Sequence, residues 1–409
     1  MSKNDQTPNK GEKPTTQEPL TKIEEATPQW LSTVLSTSIS SVTSSKIGTG
    51  QMSNTYRLFP IYSSPETTLL SSFILKLAPL SAASRKAALQ YGLSEREVRF
   101  YSDLQPTLPN LDSISKCYYS AFSPADGTFT ILISDAGLDA KAGDDLVGAT
   151  KEQARSAVME IAKFHGEILR KKKEFKIEEK VWLREISLSG AVLGLMFGGF
   201  YQRFHGKDNN SMKEEDWELA RRFVSAFDAW QQGQKRNEQE NDKLMGLNHC
   251  DFRMDNILFG KEGEVTIVDW QTLNRGPVVS DLAYFLGGSL KTENRRAWMD
   301  ELVEVYVEGV NGTKVDTMEA VLINKEDVMK GLRERSWAGV IGSAVGAMIG
   351  ERTARGDIML AEMMRRCCIM ARDLEAENEL PRVSGGWKSW LLSVMGMFGK
   401  LMELTGRWG

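Results

Sequence analysis

The chain has 409 residues, 41% hydrophobic and 26% charged, enough apolar material for a core and long enough for two or three structural units at about 150 residues each. Its 51 Lys+Arg against 55 Asp+Glu leave a net charge of -4, which argues against a protein built mainly to neutralise nucleic-acid phosphates. The 4 cysteines, isolated at Cys117 and Cys250 and adjacent at Cys367 and Cys368, match neither a disulfide framework nor a zinc spacing, so a cytoplasmic protein is expected.

Residues 1–29 are rich in Thr, Lys, Glu, Gln and Pro, with no apolar run. They read as a disordered tail rather than a secretory signal. Residues 30–135 are strand-rich. A short amphipathic helix at Trp30–Leu35 leads into strand-like runs at Val42–Gly50, Thr55–Tyr62 and Thr68–Ala78. A helical segment follows over Arg85–Leu104, then a strand pair at Cys117–Phe122 and Phe129–Ser134 around the Ala125-Asp126-Gly127 turn. Residues 136–380 are mainly helical: Lys151–Lys171, Asp216–Gln232, Glu293–Glu308, Lys325–Arg335, Ser336–Gly350 and Asp357–Leu374. One hairpin, Ile257–Phe259 and Val265–Val268, interrupts them. The expected class is therefore α+β and two-lobed, with a small β-rich N-terminal lobe and a larger helical C-terminal one.

Two apolar stretches, Ile186–Tyr201 and Trp337–Gly350, are shorter than the roughly 20 residues of a spanning helix and closely flanked by charge. They are expected to be buried helices, so no transmembrane segment is predicted. In the tail, 381–409, Trp387, Trp390, Leu391, Val394, Phe398 and Leu401 recur at helical spacing. Packing onto the body or a partner is the preferred reading. Membrane-surface contact by 387–408 is the lesser one, since only Lys388, Lys400 and Arg407 are basic.

The chemistry concentrates in NHCDFRMDNILF, residues 248–259, and VDWQ, residues 268–271. The order H-x-D-x4-N, hairpin, apolar run and Asp suits phosphoryl transfer. An attacking alcohol must lose a proton, and Asp251 is the expected base. Mg2+ prefers hard oxygen ligands, and Asn256 and Asp269, on the two arms of the hairpin, are expected to hold it. His249 is expected to orient the loop. Arg253 is read either as a cation steadying the transferring phosphoryl group or as a surface charge. For the nucleotide, the turn around Gly48, Gly50 and Ser53 offers backbone amides to phosphates. Lys76 sits in an apolar strand, where an unpaired charge is costly, and is expected on the α/β-phosphates. Glu97 is its expected partner, against a competing reading in which Ser94 to Glu97 form a capping box. Ile133, Ser134 and Asp135 end the strand whose backbone would read adenine.

These pieces, IGTGQMSNTYRL, FILK, EREVRFY, CYYSAF, ILISDAG, IAKFHG, NHCDFRMDNILF, VDWQ and SDLAYFL, resemble the aminoglycoside phosphotransferase and choline kinase-like superfamily. Within it they resemble the ecdysteroid kinase-like (CHK kinase-like) small-molecule phosphotransferases. The likeness runs in order over about residues 30–310. It implies a protein-kinase-like fold, ATP, Mg2+ and transfer to a hydroxyl of a small molecule. It also makes Asp281 the brace of the catalytic loop and His165 a structural helix residue. Two departures stand out: Cys250 occupies a place where Gly is common, and Ser134-Asp135 replaces an acidic pair. Asp269 and Asp281 lie only 12 positions apart with no A-P-E sequence after them, too short for a peptide-docking segment. The expected function is thus an ATP-dependent kinase acting on a small hydroxylated molecule, with the helical insert around Val181–Trp230 as a lid. Met196, Phe197, Phe200, Tyr201, Trp230 and Trp337 are read as core packing ahead of an apolar acceptor pocket. The alternative is a catalytically inactive small-molecule-binding protein of kinase fold, and a protein kinase ranks below both.

Overall fold

The computed structural model describes residues 18–48, 53–64, 70–183, 188–207, 211–240, 242–312, 322–349 and 352–382. By internal packing the chain divides into two units. One comprises the chain up to Gln90 with Cys117–Ser134, and the other Tyr91–Lys116 with the chain from Asp135 onward.

In the first unit, Thr27 caps helix α1 (Pro28–Leu35) by accepting the Trp30 amide at 3.2 Å, and Pro28 supplies a preset first turn. Strands β1 (Ile39–Ile47), β2 (Asn54–Tyr62), β3 (Phe73–Leu77), β4 (Cys117–Phe122) and β5 (Phe129–Ser134) form an antiparallel sheet in the order β1-β2-β3-β5-β4. Along β3 the period of two buries Phe73, Leu75 and Leu77 and leaves Ile74 and Lys76 half-buried. Leu20, Ala26 and Leu31 pack with Phe73, Leu75, Leu77 and Tyr119 in one core. The tail reading of 1–29 is thus too long. The Leu20 amide donates to Thr130 Oγ1 at 2.7 Å, and Tyr119 donates its phenol to the Glu18 carbonyl at 2.7 Å. These contacts order the segment from Glu18 on, because its few apolar residues find a sheet face to cover. Helix α2 (Ala82–Gln90) completes the unit. Of the expected tails, 1–29 and 381–409, residues 1–17 and 383–409 lie outside the described residues.

The second unit starts with α3 (Leu93–Arg99), which runs into a π-turn at Phe100–Leu104. This segment packs with the helical unit: Phe100 stacks on Trp270 at 4.1 Å and the Ile267 amide donates to the Ser113 carbonyl at 2.8 Å. Gly92 precedes α3 without a side-chain cap, so the capping-box reading of Ser94 fails: Ser94 lies inside the helix. Next come β6 (Lys141–Ala142), α4 (Lys151–Arg170), α5 (Lys172–Phe175), α6 (Gly190–Phe204) and α7 (Glu214–Glu240). Strands β7 (Met245–Asn248), β8 (Ile257–Phe259), β9 (Val265–Ile267) and β10 (Asn274–Pro277) carry the motif region. Helices α8 (Val279–Gly288), α9 (Thr292–Asn311), α10 (Lys325–Arg335), α11 (Ala338–Ile349) and α12 (Ala354–Asp373) close the chain. Thr150 and Gln153 form a capping box on α4. Helix α4 crosses α9 closely, since a methyl group on Gly309 would lie 2.6 Å from Ala162.

Both apolar stretches are core helices. Leu193, Phe197, Phe200 and Phe204 of α6 join Trp217, Phe223, Trp337 and Val340 in one buried cluster, with the Phe223 and Trp337 rings stacked at 4.6 Å. Among the described residues no helix is long and apolar enough to cross a membrane. Phe197, Phe200 and Trp337 are fully buried, while Met196, Tyr201 and Trp230 pack against the same cluster. Within the segment read as a lid, α6 and the first half of α7 contribute side chains to this core.

Candidate active site

Strand β7 pairs antiparallel with β10, Asn248 opposite Asn274, and delivers the loop that begins at His249. A 3-10 turn at Met254–Asn256 then feeds the β8–β9 hairpin, with Ile257 opposite Ile267. The Val268 amide donates to the Asn256 carbonyl at 3.0 Å and extends this ladder by one rung. Asn256 and Asp269 therefore stand at the same open end of the hairpin. Asp251, Arg253 and Asn256 are brought together directly. Asn256 donates its side-chain amide to the Asp251 carbonyl at 2.9 Å and to Asp251 Oδ2 at 2.8 Å. Arg253 Nε donates to Asp251 Oδ1 at 3.0 Å, and the Tyr284 phenol donates to the same oxygen at 3.3 Å. Burial, reinforced by the Asp251 charge, pushes the Tyr284 phenol well above its ordinary range, so it stays a donor. A carboxylate offers about four lone-pair positions. Two donors occupy Oδ1 and one occupies Oδ2, so Oδ2 is the oxygen with capacity for another proton.

The loop is braced from below. Asp281, on α8 and 1% exposed, accepts the His249 amide on Oδ2 at 2.7 Å and the Cys250 amide on Oδ1 at 2.9 Å. His165 Nε2 lies 3.1 Å from Asp281 Oδ2, and its Nδ1 lies 2.8 Å from the Tyr306 hydroxyl. An ionised carboxylate only accepts, so Nε2 donates to Asp281. His249 bonds the Val268 carbonyl through Nε2 at 2.9 Å and accepts the Asp251 amide on Nδ1 at 3.3 Å. Cys250 and Asp269 both adopt left-handed backbone, with φ 64 and 70. Cys250 thus occupies a conformation that glycine adopts without strain. Asp269 also accepts from Gln271 Nε2 on Oδ2 at 3.1 Å.

Two groups of the site were not legible in the motifs. Asp145, between β6 and α4, is 2% exposed and contacts Arg253. Nothing in AGDDLVG marks it. Tyr284 had a usable signal: it lies three positions after Asp281 on α8, a spacing that puts both on one helix face.

The nucleotide-binding expectations fall on both units. Gly48 has φ 70 with open space where a side chain would project. Ser53 Oγ lies 3.4 Å from Thr55 Oγ1. Gly50 lies outside the described residues. Lys76 is on β3, opposite Thr55 and Ile131 in the ladders. Glu97 is on α3 and 2% exposed. Ile133 and Ser134 close β5, and Asp135 follows, accepting the Gly137 amide at 3.1 Å.

The donor set fits a magnesium ion. Both partners of the Asn256 amide nitrogen are acceptors, which fixes the amide's orientation and leaves its carbonyl as the ligand-type oxygen. Asp269 adds a carboxylate at the same end of the hairpin. Among the described residues no group of three or more His, Cys, Asp or Glu could hold a metal. One carboxylate and one amide oxygen are a sparse set, and Mg2+ is usually bound by one or two carboxylates together with substrate phosphates.

A sheet-bearing N-terminal unit, a helical C-terminal unit and a braced D-x4-N loop before a hairpin and Asp define a kinase-like phosphotransferase fold. It is similar to the crystal structure of a candidate aminoglycoside phosphotransferase from Ralstonia eutropha, at TM-score 0.50 and 13% identity over 88% of this chain and 99% of that one. An ethanolamine kinase of Plasmodium vivax superposes at TM-score 0.46 and 12% identity, over 81% of this chain and 83% of that one. The sequence profile of the ecdysteroid kinase-like family matches residues 48–314, and the chain belongs to that family. An uncharacterized kinase-like protein of Caenorhabditis elegans is 25% identical over 212 residues, 50% of this chain and 53% of that protein. The match thus spans about half the length of that curated relative.

Proposed function

We propose that the protein is an ATP-dependent kinase that transfers the γ-phosphoryl group to a hydroxyl of a small molecule. The observation that carries this reading is the state of Asp251: a carboxylate whose Oδ1 is occupied by Arg253 and Tyr284 while Oδ2 keeps room for a proton. In the reaction the acceptor oxygen forms a bond to the γ-phosphorus, and the bond from that phosphorus to the β–γ bridging oxygen breaks to release ADP. The hydroxyl proton passes to Asp251 Oδ2. Asn256 and Asp269 would hold Mg2+, which when bound neutralises charge on the triphosphate. His249 and Asp281 keep the loop in register. Gly48, Gly50, Ser53, Lys76, Glu97, Ile133, Ser134 and Asp135 retain their expected nucleotide-binding roles within the same proposal.

A small acceptor is supported by the spacing of 12 positions from Asp269 to Asp281, within which β10 and the start of α8 already lie. The test is ATP consumption, with Mg2+, against a panel of steroids, sugars, amino alcohols and hydroxyacyl thioesters, run beside thermal stabilisation by Mg-ATP. Acceptor-dependent ADP release supports the kinase. Ligand binding without transfer over long incubation supports the inactive binding protein instead. No stabilisation by Mg-ATP sinks the nucleotide assignment.

A further inference from the structure

Arg253 is surrounded by more negative charge than a phosphate-facing cation needs. Its Nε reaches Asp251, and its Nη1 donates to Asp145 Oδ2 and Asp255 Oδ2, both at 3.1 Å. Two of its nitrogens are committed to three carboxylates, which turns the guanidinium toward them and not toward a phosphoryl group. Its rigid fork suits instead the task of fixing several acceptors relative to one another.

The far end of this clasp is anchored in the fold. Asp145 Oδ1 accepts the Met254 amide at 3.1 Å and the Ser289 hydroxyl at 2.6 Å, while its own amide donates to Asp255 Oδ1 at 3.2 Å. Arg366 of α12, 3% exposed, holds the Asp145 carbonyl at 2.7 Å and the Gly288 carbonyl at 3.0 Å. Arg355 grips both oxygens of Asp255 at 2.9 Å. A buried ion cluster could serve folding alone. Here, however, its inner end lies on a carboxylate oxygen of Asp251, and one of its acceptors takes an amide of the same loop.

We propose that Asp145 is a positioning residue for phosphoryl transfer. Through Arg253 it fixes the carboxylate plane of Asp251, leaving Oδ2 to take the proton, and Arg253 is a clasp on Asp251 and not a cation on the transferring group. The role in transfer rests on the kinase reading above. The contacts that hold the loop do not.

The test uses the full chain with Asp145→Asn, Arg253→Gln and the double variant. With an acceptor in hand, each single variant lowers kcat about 30-fold or more, since small misplacements of a reacting group cost rate steeply, while the KM for nucleotide stays within about threefold. The double variant is no more than about threefold slower than the slower single one, because both changes open the same clasp. Without any acceptor, amide hydrogen exchange in the free protein speeds at least about fivefold over 250–258 in both single variants and is unchanged over 39–62. Additive losses, a loss confined to KM, or unchanged exchange over 250–258 overturns the proposal, and so does exchange raised along the whole chain in both variants. If the wild type transfers no phosphate, the kinase reading falls, and the exchange result alone decides whether Asp145 and Arg253 hold the loop.

Discussion

Replacing Asp281 separates the bracing of the loop from its chemistry. The two carboxylate oxygens serve two different loop amides, His249 on Oδ2 and Cys250 on Oδ1. Asparagine has a single carbonyl oxygen. Whichever way its amide is turned in Asp281→Asn, one loop amide faces an NH2 group and loses its acceptor. An unsatisfied buried donor costs about 1–3 kcal/mol, so Asp281→Asn is expected to lose that much stability. Asp281→Ala strands both amides and the His165 Nε2–H as well, and about 3–9 kcal/mol is expected from the same range. Urea unfolding with a fixed m-value reads both changes, and turnover falls in parallel because Asp251 follows two residues after His249. Equal losses in the two variants, or a loss below about 0.5 kcal/mol in either, would refute the claim that the two oxygens act separately.

Two further predictions concern stability. Glu362, on α12, is pushed up by burial, but hydrogen bonds from Arg365 and Ser211 and the charges of Arg366 and Arg365 outweigh this and hold it at about 2, below its ordinary 4.5. A depressed carboxyl contributes stability that is fully present above its unfolded pKa and is lost as the pH falls through the folded one. Glu362→Gln should therefore flatten the dependence of unfolding free energy on pH between about 4.5 and 2, and an unchanged slope there would contradict the assignment. Cys250 occupies left-handed backbone at φ 64, which costs a side-chain-bearing residue about 1–2 kcal/mol. After the extra unfolded-state entropy of glycine, about 0.5–1 kcal/mol, Cys250→Gly should be neutral or stabilising by up to about 1.5 kcal/mol in urea. A clear loss would show that the thiol itself holds the loop.

The strands and helices were largely readable because their periods are clean. Cys117–Phe122, Phe129–Ser134 and Lys325–Arg335 lie where the pattern placed them. The motif loop was readable because its residues are close in sequence: Asp251, Arg253 and Asn256 meet through bonds spanning two to five positions. What escaped depends on long-range contacts. Asp145 meets Arg253 across 108 positions, and no local pattern announces such a pairing. Residues 91–116 were assigned to the first lobe by order along the chain, whereas the Phe100–Trp270 stack attaches them to the helical unit. Glu18–Gln29 looked too polar to order, yet Leu20 and Ala26 suffice because the sheet supplies the rest of the core.

The central claim, that Asp251 takes the proton of an attacking hydroxyl, is tested most directly by following γ-labelled phosphate from ATP onto an acceptor alcohol with wild type and Asp251→Asn, and titrating nucleotide into both. Label should appear on the alcohol with wild type. The variant should bind nucleotide within about threefold of wild type while transfer drops by about 100-fold or more, the order expected for loss of a positioned base. Transfer at an undiminished rate in the variant, or loss of nucleotide binding together with transfer, would contradict the assignment.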